Sequence, residues 1–399
     1  MIDLKAARAD SDRWRAALAR KGAADTFDAL LEADERWRAL VPRVDELRGR
    51  TKLKGKPTPE ELEALQHVKE ELRAAEEGLA AVEAERDALA LRVPNLPNDD
   101  VPDGSTEDDV REIRRVGDPP ALAEPREHLD VGRFDMDRAA RMSGARFGYW
   151  IGDTARLALA LYRLALDRLA AKGFLTVMPP VLVREGALIG TGAFPSDEGN
   201  VYELPADGLY LAGTAEIPVA SLHAGEILRA DELPIRYVAF SPCFRREAGA
   251  AGRDTRGMIR VHQFNKVEQF SLTRPDDSWN ELEVLLANTE ELVRELGLPY
   301  RIVVLPAGDM SAASAKTYDV EIWFPSQGRY RETASISNTT DFQARRLGIR
   351  VRTEHGLETV HMLNGTAVVD RMALAILENF QGDVPDVLLP YGAPARVER

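Results

Sequence analysis

Apolar residues recur at intervals of three and four along the first quarter of the chain, and this spacing predicts two helices. Leu30, Trp37, Val41, Val44 and Leu47 mark one face of a helix over about Phe27 to Arg50. Pro42 falls inside that pattern and removes a backbone donor, so it is expected to kink or split the helix. A second helix is announced by Thr58-Pro59-Glu60-Glu61, where the threonine caps free N–H groups, the proline fits the first turn and Glu61 completes a capping box. From there Leu65, Val68, Leu72, Ala75, Leu79, Val82 and Leu89 keep a three-four alternation. That is the narrow seam of a coiled coil, not the wide stripe of a core helix, and the two helices are expected to pair antiparallel. At about 1.5 Å per residue, Thr58 to Arg92 would reach roughly 50 Å, farther than a compact domain needs, which predicts an arm projecting into solvent.

The turn between these helices carries Arg48, Arg50, Lys52, Lys54 and Lys56 with no acidic residue among them. Charge runs are often just solvated, but a projecting lever that ends in cations fits contact with phosphates. Prolines, glycine and Asn/Asp then punctuate Pro94 to Gly104 too densely for helix or strand, so a linker is expected there. We place the arm at 1–110 and a second domain at 111–399. In the second domain helix patterns (Thr154 to Lys172, Trp279 to Leu296, Thr366 to Gln381) interleave with strand patterns at Leu209–Ala212, Ile235–Glu247, Met258–Leu272, Tyr300–Leu305, Tyr318–Phe324 and Tyr330–Ser335. Short turns such as Pro325-Ser326-Gln327-Gly328 join several of them. The expected class is α+β: a helical arm followed by an antiparallel sheet flanked by helices.

Composition narrows the chemistry. A net charge of -14 argues against a uniformly cationic surface for nucleic acid, which makes the local cationic turn more telling. The single Cys243 excludes an internal disulfide and a thiolate-rich zinc site, and the six histidines show no HxxxH or HExxH spacing. No window approaches eighteen uncharged apolar residues, and Met1-Ile2-Asp3-Leu4-Lys5 lacks the apolar core of a signal peptide. A cytosolic protein with no membrane partner and no zinc is expected.

The strand patterns 235–247 and 258–272 carry the densest chemistry. Side chains alternate between faces on a strand, so Arg260, His262, Phe264, Lys266 and Glu268 share a face, as do Arg245 and Glu247. Charged groups gathered around one phenyl ring read as an anion site with a stacking platform. Ala248 to Gly257, rich in glycine and arginine, is too long for a tight hairpin and suits phosphate. No GxxxxGK[ST] occurs, and Gly190-Thr191-Gly192 lacks the third glycine of a dinucleotide fingerprint, so a nucleotide bound here would lie on a sheet.

Phe244-Arg245-Arg246-Glu247, the glycine loop and Arg260-Val261-His262-Gln263-Phe264-Asn265-Lys266-Val267-Glu268 together resemble motif 2 of the seryl-tRNA synthetases, class II aminoacyl-tRNA synthetases. Further landmarks follow in the family's order: Pro94-Asn95-Leu96-Pro97, Thr214-Ala215-Glu216, Tyr330-Arg331-Glu332, Asp341-Phe342-Gln343-Ala344-Arg345-Arg346, and Leu363-Asn364-Gly365-Thr366 through Asn379, similar to motif 3. Pro179-Pro180 resembles motif 1, which in this family forms a dimer interface. The resemblance implies a serine–tRNA ligase using ATP and Mg²⁺, with L-serine and tRNA(Ser) as partners and tRNA(Sec) as a further acceptor left open. It implies catalytic roles for Arg245, Arg260 and Arg371. An ATP site would comprise Arg245, Arg246, Glu247, Val261, His262, Gln263, Phe264, Glu332, Thr333, Ala334, Ser335 and Arg371, with Glu332 and Ser335 on Mg²⁺. Serine would meet Thr214, Ala215, Glu216, Arg245, Lys266, Glu268, Asn364 and Thr366, and tRNA would meet Arg48, Arg50, Lys52, Lys54 and Lys56.

The chain departs from the family where Ile336 and Thr339 stand in a stretch often carrying cysteines, and where Arg371 follows Asn364 by one residue fewer than in many members. Two other readings share parts of the pattern. A seryl-adenylate-forming paralogue serving a carrier protein, a biosynthetic pathway or antibiotic resistance would keep the core. A non-catalytic tRNA-binding protein would be marked by loss of Arg245, Glu268 or Arg371, and all three are present.

Overall fold

The computed structural model describes residues 1–52, 58–248 and 257–399. Lys54, Lys56 and most of the glycine loop lie outside the described residues. The chain divides into two compact units, Met1–Leu96 and Pro97–Arg399.

In the first unit two short helices, Leu4–Ala9 and Ser11–Ala19, precede α1 (Ala24–Arg50) and α2 (Pro59–Arg92). Arg36 pairs with Glu85 at 2.7 Å and Arg48 with Glu76 at 2.9 Å, so residue numbers rise on one helix as they fall on the other and the pair is antiparallel. Every residue of the expected seam on α2 is buried or half-buried, while most intervening positions are exposed. Its N-terminus carries the full capping box: Thr58 Oγ1 accepts from the Glu61 N–H, and Glu61 Oε2 accepts from the Thr58 N–H. Pro42 does not split α1. The proline lies on the exposed side, and the contacts made by Val44 and Leu47 beyond it hold the helix together across the missing bond. Nearer the start, buried Asp34 is shared by Arg8 and Arg38 at 2.9 Å each, which ties the first short helix to α1.

The second unit is built on eight strands: β1 (Arg111–Val116), β2 (Leu175–Val177), β3 (Ile235–Phe244), β4 (Gln263–Thr273), β5 (Tyr300–Val304), β6 (Lys316–Phe324), β7 (Arg329–Asn338) and β8 (His361–Val369). They lie in the order β1-β5-β6-β7-β8-β4-β3-β2, antiparallel throughout except for β2 beside β3. The segment 97–110 joins this unit: the Asn98 N–H donates to the Ala315 carbonyl and the Ala307 N–H to the Pro102 carbonyl. Helices α3 (Asp153–Ala171), α4 (Ser278–Glu295) and α5 (Asp370–Phe380) pack their apolar sides on one face, where Leu161, Leu285 and Leu374 meet Val267, Val320 and Ile336.

Strand parity holds on β4. Odd positions turn to the helices, with Gln269 bonded to α4 through the Leu285 carbonyl and Thr289, and Ser271 to Glu281. Even positions turn to the opposite face, where Phe270 and Leu272 are buried with residues of the short helices Glu216–Ala220 and Phe342–Leu347 while Phe264, Lys266 and Glu268 line a cavity.

Three boundaries differ from the sequence reading. β3 ends at Phe244, so Arg245 and Glu247 stand beyond it, Glu247 at φ 52°. β4 begins at Gln263, not Met258, because side chains bind the backbone of 258 and 259 in place of a ladder: the Met258 N–H donates to His128, and the Ile259 carbonyl accepts from Arg371. The pattern at Thr366 continues a strand, since Thr366-Ala367-Val368-Val369 is rich in β-branched residues, and α5 starts only at Asp370.

Asp370 fastens the start of α5. Its carboxyl accepts from the Tyr162 hydroxyl of α3 and from the Asn265 N–H of β4 at 3.0 Å. Burial pushes this carboxyl up from 3.8 to about 6, against those hydrogen bonds. Between these values the folded state holds the proton more tightly than the unfolded chain, so this contribution is present below 3.8 and lost as pH rises through about 6. Asp370→Asn removes the titration. Urea unfolding of the variant and the parent from pH 4 to 7 should therefore show the variant gaining relative stability with rising pH, and a constant difference would contradict it.

Candidate active site

Against the face of β4 that carries Phe264, Lys266 and Glu268 lies a cavity of about 410 Å³. Lys266 and Glu268 form its floor, 7 % and 2 % exposed, and their charged groups meet at 2.6 Å. Lys266 Nζ also donates to Thr214 Oγ1 at 2.7 Å, and Thr366 Oγ1 lies 3.5 Å from Glu268 Oε2. Glu216 enters from a short helix, where Gln343 donates to it at 2.7 Å and to the Thr191 carbonyl at 3.0 Å. Burial first, and the charge of Glu268 second, raise the Glu216 carboxyl above its ordinary value; the Gln343 bond and Lys266 oppose them. The floor therefore holds two carboxylates for one ammonium.

Three arginines line the same cavity. The Arg245 guanidinium stands 5.4 Å from the Phe264 ring centre, within cation–π range, and is steadied by Nε donating to the Gly213 carbonyl. Arg260 pairs with Glu247 at 2.5 Å. Arg371, in the first turn of α5, donates to the Ile259 carbonyl at 3.3 Å through Nε and Nη2 and to the Glu332 carbonyl through Nη1. Burial lowers its guanidinium from the ordinary value.

A third group is acidic. Asp309, Asp319 and Glu332 line the cavity beside Ser335, whose hydroxyl donates to Glu332 at 3.4 Å. Asp319 is 5 % exposed, and its Oδ1 has no hydrogen-bond partner among the described residues. Burial, followed by the nearby Glu332, raises its carboxyl well above the ordinary range.

β-Bulges aim these walls. On β7, Val320 opposes Ala334 and Glu321 opposes Glu332, so Thr333 is an extra residue. The strand's parity flips there, which turns Glu332 to the side of Ser335 and Ser337. The β4–β8 register slips in the same way between Val267/Val368 and Glu268/Thr366, and Asn364 and Thr366 both face the cavity.

Of the residues expected at a site, Thr214, Glu216, Arg245, Glu247, Arg260, Val261, Phe264, Lys266, Glu268, Glu332, Thr333, Ser335, Asn364, Thr366 and Arg371 line this one cavity. The side chains of five others lie elsewhere. Ala215 and Ala334 are buried in apolar clusters, and Gln263 is exposed on the other parity of β4. Arg246 reaches toward the Tyr202 ring, and His262 packs against Phe147 and Tyr202. Asp309, Asp319 and Thr317 stand in a loop and a strand without any motif, and Ser337 lies beyond the landmark on β7, so none of the four stood out in the sequence; Gln343 stood within a landmark that named no partner for it. At the cationic turn, Arg48 is engaged by Glu76, and Lys52 is exposed. Ile336 and Thr339 are buried away from the cavity, Ile336 against Gly365 and Thr339 on the Met362 carbonyl.

Comparison with known proteins gives the family. Residues 1–97 match the seryl-tRNA synthetase N-terminal domain, and residues 202–380 match the class II tRNA synthetase core domain (G, H, P, S and T). A serine–tRNA ligase of Thermobifida fusca is 45% identical over 411 residues, covering 98% of this chain and 97% of its own. Among solved structures, the seryl-tRNA synthetase of Pyrococcus horikoshii complexed with ATP superposes with a TM-score of 0.92 at 37% identity, covering 100% of both chains. The cytoplasmic serine–tRNA ligase of Naegleria fowleri in complex with AMP gives 0.86 at 32% identity over 96% of this chain and 94% of that one. On these grounds the chain belongs to the seryl-tRNA synthetases, the serine–tRNA ligases of the class II aminoacyl-tRNA synthetases.

Proposed function

We propose that the cavity binds ATP beside L-serine, joins them as seryl-adenylate, and passes the seryl group to tRNA(Ser) engaged by the helical arm. The observation that carries this reading is the grouping of Arg245 over Phe264 with the Thr214–Lys266–Glu268 cluster in one cavity. A purine stacks on Phe264, and Arg245 lies between the α-phosphate and the serine carboxylate. A carboxylate oxygen of serine attacks the α-phosphorus; the new O–P bond forms as the bond to pyrophosphate breaks. The step needs no side-chain nucleophile, only in-line positioning and cations that meet the developing charge. Arg260 serves the terminal phosphate, Glu247 the adenosine end, and Arg371 the other face of the purine or the γ-phosphate. A ribose hydroxyl at the tRNA terminus then attacks the seryl carbonyl, and AMP leaves.

Serine specificity follows from the floor. Its ammonium answers the excess negative charge of Glu216 and Glu268, and its hydroxyl lies near Glu268, Asn364 and Thr366. Alanine would leave those polar groups unpaired, a strong penalty, whereas threonine is resisted by one methyl, worth about 1–3 kcal/mol.

The acidic wall fits Mg²⁺. The unpartnered Asp319 Oδ1 stands in an all-oxygen set with Glu332 and Ser335, the donor chemistry a hard cation takes. Glu332 and Ser335 would hold the ion, with Asp319 supporting them, and the ion when bound neutralises phosphate charge.

The match to the N-terminal domain over residues 1–97 weighs against a carrier-protein ligase, which would lack the arm. A homodimer formed around Pro179-Pro180 belongs to the same proposal. Leu159, Leu175 and Met178 are 63 %, 64 % and 83 % exposed near the open edge strand β2, an apolar surface suited to a second copy. No helix among the described residues is long and apolar enough to cross a membrane. With a lone buried thiol at Cys243, a reducing, cytosolic setting is the natural one.

Arg245→Ala should abolish serine-dependent ATP–pyrophosphate exchange while leaving the fold and tRNA affinity intact; normal exchange in that variant refutes the site. Replacing Lys52, Lys54 and Lys56 together by Glu should spare exchange and weaken aminoacylation. Counterion release predicts that the defect is largest at low salt and shrinks as salt rises, and unchanged charging at ordinary ionic strength would rule the turn out as a tRNA contact.

A further inference from the structure

His128 lies outside the cavity, in the short helix His128–Val131, and is 2 % exposed. Its Nδ1 stands 2.7 Å from Glu378 Oε1, and its own backbone N–H donates to the same oxygen at 3.2 Å. A carboxylate oxygen only accepts, so Nδ1 carries the ring hydrogen and Nε2 carries the lone pair. Into that lone pair the Met258 N–H donates at 3.1 Å. The preceding Gly257 sits at φ 78°, and a Cβ there would meet Nε2 at 2.7 Å, so ring and backbone are in direct contact. The second oxygen of Glu378 accepts from the Ser326 N–H at 3.2 Å, which also ties the β6–β7 turn to this point.

The strip this histidine touches leads straight into the site. Residues 257–262 have no strand ladder, so side chains and loops must take their backbone groups. The Met258 N–H goes to His128, the Ile259 carbonyl to Arg371 and the His262 N–H to the Arg146 carbonyl. Arg260, between these anchors, faces the cavity. Helix α5 thus grips the strip twice, directly by Arg371 in its first turn and through the His128 relay by Glu378 about two turns later.

We infer that His128, as the neutral Nδ1–H tautomer, is a positioning residue for ATP: it fixes Gly257–Met258 and so holds Arg260 where the triphosphate lies. This rests on the reading of the cavity as an ATP site. An aliphatic side chain could fill the same space, but it would leave the Met258 N–H without its partner and Glu378 Oε1 with only the backbone N–H of residue 128.

The test is steady-state serine-dependent ATP–pyrophosphate exchange on the full chain. His128→Ala should raise the ATP KM about tenfold, the scale of one lost buried hydrogen bond, and leave the serine KM within about twofold. His128→Gln, whose amide can both donate toward Glu378 and accept from Met258, should return the ATP KM to within about threefold of the parent. Equal rises in both KM values, a fall in kcat with both KM unchanged, or a glutamine variant no better than alanine overturns the assignment. Should the alanine variant not fold, His128→Asn replaces it, being able to reach Glu378 but too short for Met258; the same selective rise supports the role and its absence overturns it. A parent chain without serine-dependent exchange would overturn both this inference and the functional reading, whereas a serine-dependent parent whose variants show no split overturns only the role of His128.

Discussion

The site depends on one ammonium, that of Lys266, paired with the Glu268 carboxylate in a cavity that Glu216 also lines. Lys266 and Glu268 point the same way from β4 because they are two residues apart on a strand, and at 2.6 Å they form a nearly buried ion pair. Removing charge from water costs several kcal/mol per ion unless the remaining hydrogen-bonding sites are filled, so the neighbours of the pair are constrained as tightly as the pair. Thr214 takes a second hydrogen of Lys266, and Gln343 takes an oxygen of Glu216. Burial first, and the nearby charge of Glu268 second, raise the Glu216 carboxyl. In the proposed function a zwitterionic amino acid would bring what is missing, its ammonium to the carboxylate-rich floor and its carboxylate to Arg245 at the rim.

The rest of the cavity extends that logic to a polyanion. Arg245, Arg260 and Arg371 present cations along one side, while Asp309, Asp319 and Glu332 present acids on another. Two walls of opposite sign would collapse on one another if both were long side chains free to move. The arginines are already engaged: Arg371 donates to the Ile259 and Glu332 carbonyls, and Arg260 pairs with the Glu247 carboxylate. Asp319 sits on β6, Glu332 on β7 where the bulge at Thr333 sets its direction, and Asp309 in the loop before β6. A triphosphate carrying a divalent cation has charges of both signs and matches both walls, whereas a plain phosphate would match only one. The unpartnered oxygen of Asp319 marks the same division.

The arm and the residues of β4 were legible from sequence because the forces that set them are local. The seam from Leu65 to Leu89 and the cap at Thr58 follow from helical periodicity and from four N–H groups that need acceptors. Parity alone placed Phe264, Lys266 and Glu268 together. It failed one turn upstream, since the strand stops where His128 and Arg371 take over the backbone, and both partners are distant in sequence. The bulges at Thr333 and Ala367 escaped for the same reason, and with them the orientation of Glu332 relative to Ser335. Ile336 and Thr339 stood out in the sequence yet face away from the cavity, because each lies on the opposite parity from the wall or beyond it.

What makes α5 central is the poverty of regular structure beside it. Arg245 lies past the end of β3 and Arg260 before the start of β4, so both guanidiniums stand on backbone outside the regular strands, Arg245 held there by its N–H on the His262 carbonyl. Regular sheet would be stiffer, but it would force successive side chains to opposite faces and spread them at fixed intervals. Irregular backbone brings Arg245, Glu247 and Arg260 into one cavity, provided that its own N–H and C=O groups find partners. On the Arg260 side a rigid helix supplies such partners at fixed spacing, Asp370, Arg371 and Glu378 each reaching a different piece of neighbouring backbone, while Asn200 and His262 take the backbone N–H groups at 245, 246 and 248. Helix α5 therefore acts less as a cover for the sheet than as a ruler for the loops, and a helix can do so only because its rise per residue does not change.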